Sequence, residues 1–185
     1  MTISARPRVL VLSFSKVASD ARVLKQIERL REAFDVVSCG FGPSPRIDVE
    51  HVELNASEPR LAVLLRAALI RLRLYRLAYW STPAVRQTRR VLRPQRFDAI
   101  LANDLDTAGV ASAIGDRLRV HLDIHEYWPG LHDNVSSWRK LRQPFYRWQL
   151  RTYARRARSM TTVSDEIARR YRDVFGLVAG VVHNA

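Results

Sequence analysis

The stretch Phe97-Asp-Ala-Ile-Leu-Ala-Asn-Asp-Leu-Asp-Thr-Ala-Gly-Val-Ala-Ser-Ala-Ile-Gly-Asp-Arg-Leu-Arg-Val-His-Leu-Asp-Ile-His-Glu126 decides the fold. A short apolar run from Asp98 to Ala102 reads as a buried strand, and Leu105 to about Asp116 reads as a helix. Arg119 to Ile124 then reads as a second strand. A strand, a helix and a strand within thirty residues make one unit of a parallel sheet.

The same alternation continues in both directions. Upstream, Arg8 to Ser13 reads as a first strand and Asp20 to Ala33 as a helix with Val23, Leu24, Ile27 and Leu30 at helical spacing. Asp20, or Ser19 before it, is the natural N-cap. Asp35 to Phe41 and the shorter His51 to Leu54 read as further strands, with Pro43, Pro45 and Pro59 marking a sheet edge. A long basic helix is expected from Leu61 to Trp80, and another from Pro83 to Leu92, closed by Pro94. Downstream, a helix is expected from Trp138 to Ala157 and a strand from Ser159 to Val163. A helix capped by Ser164 and ended by Gly176, then a last strand from Val178 to Val182, complete the pattern. This is a doubly wound, Rossmann-like α/β fold with six to seven parallel strands in a single domain over 1–185.

In such a fold ligands sit outside the carboxyl ends of the strands. The polar residues at those ends are Ser15, Lys16 and Asp20 after the first strand, and Asn103 and Asp104 after the fourth. His125 and Glu126, followed by Tyr127 and Trp128, come after the fifth. The first loop, Ser13 to Asp20, has no glycine, which disfavours a dinucleotide site of the G-x-G-x-x-G kind. Helix N–H groups and Lys16 can still meet an anion or sugar hydroxyls there, and Asp20 can equally be a helix cap. A histidine at a strand end can hydrogen-bond a sugar or simply be a satisfied core side chain. No second histidine stands three or four residues from His125, so metal ligation is disfavoured and no metal is expected. Asp106 reads as a helix-start residue.

The composition, 47% hydrophobic and 26% charged, is that of a globular domain. The 31 Lys and Arg against 18 Asp and Glu leave a formal charge of +13, which favours anionic partners. Ten arginines and no acid lie between Pro59 and Phe97. On the helix read over Leu61–Trp80, Arg66, Arg73 and Arg76 share a face, as in a helix lying on anionic lipid. A second acid-free basic run spans Arg139 to Arg158. Without a helix-turn-helix, zinc-finger or RNP pattern, nucleic acid is a minority partner. The arginines inside Leu61–Trp80 make that stretch too costly to span a membrane. The apolar run after Arg8 is too short for a secretory signal, and the single Cys39 fits a reducing, cytoplasmic setting.

Five segments together resemble family 4 of the retaining glycosyltransferases, two-domain enzymes of the GT-B fold. They are Arg8–Ser13 leading into Ser19–Gln26, Phe97–Thr107, Asp123-Ile-His-Glu126, Thr162–Ala168 and Val181–Ala185. The resemblance implies that His125 faces the donor sugar, the catalytic position, and that the Ser15–Asp20 loop shapes the acceptor and phosphate side. It implies that Asn103, Asp104, Tyr127 and Trp128 line the acceptor pocket beside Glu126. The implied reaction is front-face transfer from a nucleotide-sugar, assisted by the leaving phosphate and needing no protein base or metal. The implied acceptor is a cell-envelope polysaccharide or glycolipid, on a lipid carrier at the inner face of the membrane. The family pattern runs on into a donor-binding domain, so these residues are the N-terminal half of a GT-B architecture. By themselves they are expected to bind no cofactor and to be inactive. The competing classes are a nonenzymatic basic module for anionic membrane or nucleic acid, and another GT-B enzyme such as a sugar-nucleotide epimerase.

Overall fold

The computed structural model describes residues 6–55, 57–115 and 119–183. Seven strands form one all-parallel sheet: β1 (Arg8–Lys16), β2 (Asp35–Phe41), β3 (Glu50–Leu54), β4 (Ala99–Asn103), β5 (Val120–Asp123), β6 (Ser159–Thr162) and β7 (Gly180–Val181). Their order is β3-β2-β1-β4-β5-β6-β7, so the direction of winding reverses between β1 and β4. That reversal opens a crevice at the carboxyl ends of these two central strands.

The helices are α1 (Ala21–Leu30), α2 (Arg60–Arg71), α3 (Tyr75–Trp80), α4 (Pro83–Leu92), α5 (Leu105–Ile114), α6 (Ser136–Thr152) and α7 (Asp165–Phe175). Asp20 caps α1 by accepting the Val23 N–H at 3.2 Å, and Ser164 caps α7 through the Ile167 N–H at 3.3 Å. Gly176 ends α7 at φ 65°, the left-handed geometry that glycine adopts without cost. Helix α1 covers one face of the sheet through Val23 and Ile27, which pack on Val11, Val36 and Val49. The larger core, on the opposite face, gathers residues of α2 to α7 over Leu10, Leu12, Ile100 and Leu122. Burial pushes the thiol of Cys39 in this core up to about 12.

Two expectations are corrected. The helix read across Leu61–Trp80 is broken at Leu72–Leu74, where Arg73 turns to φ 57°. Packing overrides helix propensity there. The break lets Tyr79 enter the core beside Gly109, where its hydroxyl donates to the Asp106 carbonyl at 2.8 Å and accepts from the Val110 N–H at 2.9 Å. The shared face of Arg66, Arg73 and Arg76 is lost with it. Arg66 turns inward onto Glu58 with a side chain only 19% exposed, while Arg73 and Arg76 stay exposed. Strand β1 also runs three residues further than read, because its register against β2 shifts between Leu12 and Lys16. At the irregularity Ser13 is buried and Phe14 packs on Phe41 at 6.5 Å.

Candidate functional site

Neighbouring strand ends assemble one polar cluster. His125 follows β5, is 8% exposed, and has a carboxylate at each ring nitrogen. Asp123 Oδ2 lies 3.0 Å from Nε2 and Asp104 Oδ1 lies 3.3 Å from Nδ1. Ionised carboxylates only accept. Each contact therefore holds a proton, on the ring nitrogen or on the carboxylate it faces. Burial raises the Asp104 carboxyl above its ordinary range, against the lowering effect of Arg22. In either state a proton sits on the Asp104–His125 contact.

Each carboxylate is held from other elements as well. Gln26 Nε2 donates to Asp123 Oδ2 at 2.7 Å, and the Thr161 hydroxyl donates to Oδ1 at 2.7 Å. His121 Nε2 is 3.0 Å from that hydroxyl, and its Nδ1 is 2.8 Å from Ser159 Oγ. Burial lowers the pKa of His121, and a neutral ring protonated at Nε2 satisfies both contacts. Arg22 Nη2 donates to Asp104 Oδ2 at 3.3 Å and lies 4.0 Å from Asp20. Arg22 and Gln26 stand one turn apart on α1, so one helix face serves both aspartates.

Asp104 also has unusual backbone geometry, φ 65° and ψ 161°, a region that side-chain-bearing residues enter at a cost of about 1–3 kcal/mol. The surroundings hold it there. Its N–H donates to the Asp123 carbonyl at 2.8 Å, and the Thr107 hydroxyl donates to its carbonyl at 2.8 Å. A cleft of about 400 Å³ opens onto His125 and Asp123, walled by Ala21, Arg22, Lys25 and Gln26 of α1 and by Val182 and His183.

The other expected site residues divide. Asp20 caps α1 beside Arg22. Ser15 Oγ pairs with Ser13 Oγ at 2.9 Å, and Lys16 stands exposed at the end of β1. Asn103 is fully buried, its Nδ2 donating to the Leu12 carbonyl at 3.5 Å, so it braces β4 against β1 and does not line the cleft. Tyr127 packs on Tyr171 at 5.3 Å under the Arg170 guanidinium, and Trp128 packs on Tyr146 at 4.9 Å. Both rings face α6 and α7 rather than His125. The Glu126 side chain is exposed, and its carbonyl accepts from the Tyr171 hydroxyl at 2.5 Å.

The reading of the sequence missed Arg22, Gln26 and the role of Asp123. Their signal is faint: an i, i+4 polar pair on an amphipathic helix, and an acid two residues before His125. Asp106 is more than a helix-start residue. Burial raises its carboxyl to about 6 in a cavity of about 140 Å³ shared with Arg66, Arg142, Tyr79 and Tyr146. No group of three or more His, Cys, Asp or Glu side chains suited to a metal ion is found among the described residues.

The profile described as Glycosyltransferase Family 4 matches residues 20–185. Among solved structures, sucrose-phosphate synthase from Thermosynechococcus elongatus superposes with a TM-score of 0.59 at 10% identity, over 96% of this chain and 48% of that one. A shorter chain of the same enzyme superposes with a TM-score of 0.56 at 11% identity, over 96% of this chain and 89% of that one. At such identities the likeness is one of fold. The chain thus spans about half the length of the longer structure. No curated protein sequence matches it.

Proposed function

The chain belongs to glycosyltransferase family 4, and on that premise we propose that it is the acceptor-side, N-terminal domain of a retaining enzyme, one that transfers a sugar from a nucleotide-sugar to a cell-envelope polysaccharide or glycolipid. The observation that carries this reading is His125, buried at the end of β5, held between Asp104 and Asp123, and open to the cleft beside α1.

Supplied with a donor domain, whether from the same chain or another, the cleft becomes the acceptor half of an interdomain site. Donor binding frees one N–H of His125 from its aspartate, and that N–H then donates to the donor sugar and steadies charge as the bond to the nucleotide diphosphate breaks. The acceptor oxygen attacks the anomeric carbon on the face the leaving group vacates. Attack on that same face retains configuration, and the acceptor's proton passes to the departing phosphate oxygen, so no protein base takes part. Ser15, Lys16 and Asp20 border the acceptor side, and Arg22 and Gln26 hold the two aspartates.

For a lipid-carried acceptor, the outer surface of α2 and α3 suits contact with an anionic membrane. Leu61, Leu64, Leu65, Leu72 and Leu77 are 58–78% exposed there. Arg60, Arg71, Arg73 and Arg76 stand exposed among them. No described helix is long and apolar enough to cross a membrane. The enzyme would be peripheral, on the cytoplasmic face, with Arg73 and Arg76 but not Arg66 toward the lipid.

The test is to express the domain joined to its donor half and measure nucleoside-diphosphate release from a panel of nucleotide-sugars, with NMR of the glycoside formed. The reading expects acceptor-dependent release, retained anomeric configuration and no turnover by residues 1–185 alone. Inverted product would overturn it.

A further inference from the structure

On α4 the buried residues Ala84, Val85, Thr88 and Leu92 form one face, and the other face is arginine. Arg86, Arg89, Arg90 and Arg93 recur at i, i+3, i+4 and i+7, the spacing of one helical stripe. All four are exposed, and among the described residues no carboxylate lies within ion-pair distance of any of them. Together with Trp80 and Pro94 they line a groove of about 760 Å³. The Arg89 guanidinium lies 5.2 Å from the centre of a Trp80 ring, and that ring is fixed edge-on against Tyr79 and Tyr153.

Like charges one turn apart repel and weaken a helix. The helix C-terminus favours some positive charge there, but pairs none of it. What complements the stripe is an extended anion. It covers seven residues at 1.5 Å rise, roughly 10 Å, which exceeds the reach of a single phosphate. Guanidinium forks match phosphate oxygens two at a time. Helix α4 hands the chain to the start of β4, so Arg93 and Pro94 lie toward the amino ends of the strands, away from His125. The groove is therefore separate from the cleft.

We propose that the α4 groove is a binding site for a ligand carrying two or more neighbouring phosphates, with Arg89 pre-set on Trp80 and Arg86, Arg90 and Arg93 closing on the remaining charges. The same chemistry is offered by a free oligophosphate and by a lipid headgroup bearing several phosphates.

Calorimetric titration with inorganic tripolyphosphate at fixed ionic strength tests the site. The wild-type chain is expected to bind saturably. Arg86→Gln/Arg90→Gln should weaken binding at least tenfold, while the control Arg169→Gln/Arg172→Gln on α7 leaves it within twofold. Co-sedimentation with vesicles containing a phosphatidylinositol bisphosphate then separates the sources. Vesicle binding that falls at least tenfold in Arg86→Gln/Arg90→Gln but not in the control assigns the groove to a headgroup, and vesicle binding absent or unchanged in that variant assigns it to a soluble oligophosphate. Absence of tripolyphosphate binding, or equal losses in the groove and control variants, overturns the proposal.

Discussion

The cluster around His125 and the stripe on α4 treat charge in opposite ways. Around His125 each carboxylate is partly or wholly buried and held from at least two directions by Arg22, Gln26, Thr161 and the imidazole. On α4 four guanidinium groups face solvent with no carboxylate among the described residues to pair them. Charge buried with partners is fixed in place, and its worth lies in geometry. Exposed charge without a partner adds little to stability and is available for binding.

The contrast sets a scale of expected effects. Asp123→Ala strips the partner from His125 Nε2, Gln26 Nε2 and the Thr161 hydroxyl together. A loss of about 3 kcal/mol is expected in urea unfolding at neutral pH. A loss below about 1 kcal/mol would mean that the network is not fixed. At Asp104 the backbone and the side chain oppose each other. Asp104→Gly removes the cost of φ 65° and Asp104→Ala retains it, while both lose the contacts to His125 and Arg22. The glycine variant should be the more stable of the two by about 1–2 kcal/mol. Equal stabilities would show that the backbone there is unstrained.

Asp106 stands between the two extremes, half-buried near Arg66 and Arg142 with its carboxyl raised to about 6 by desolvation. Its carboxyl is raised above the ordinary 3.8, so the protonated form is the one the fold prefers. That contribution is fully present below about pH 3.8 and is lost as pH rises through about 6. Wild-type stability should therefore fall relative to Asp106→Asn between pH 4 and 7, and parallel curves would contradict the shift. The smallest effect is expected on α4, where Arg90→Gln should change stability by less than about 0.5 kcal/mol.

The sheet was legible in the sequence because buried parallel strands and amphipathic helices differ in period, and Phe97–Glu126 shows both periods in one stretch. The caps Asp20 and Ser164 and the end at Gly176 were legible for a local reason, since each satisfies or releases its own helix terminus. What escaped was tertiary. The break at Leu72–Leu74 exists because Tyr79 needs a place beside Gly109, thirty residues away. Arg22 and Gln26 join the site because α1 crosses toward the ends of β4 and β5, which no local pattern encodes. Tyr127 and Trp128 read as pocket-lining from their place in the chain, yet Tyr171 and Tyr146 claim their rings. The positive φ of Asp104 carries no signal in residue type, since at ψ 161° it lies outside the αL basin that aspartate tolerates.

The most direct test of the central claim is steady-state turnover of a nucleotide-sugar by the domain joined to its donor half, comparing wild type, His125→Ala and the surface control Arg169→Gln. The account predicts a fall of about 100-fold in kcat for His125→Ala with the control unchanged, and turnover by His125→Ala near the wild-type rate would contradict it.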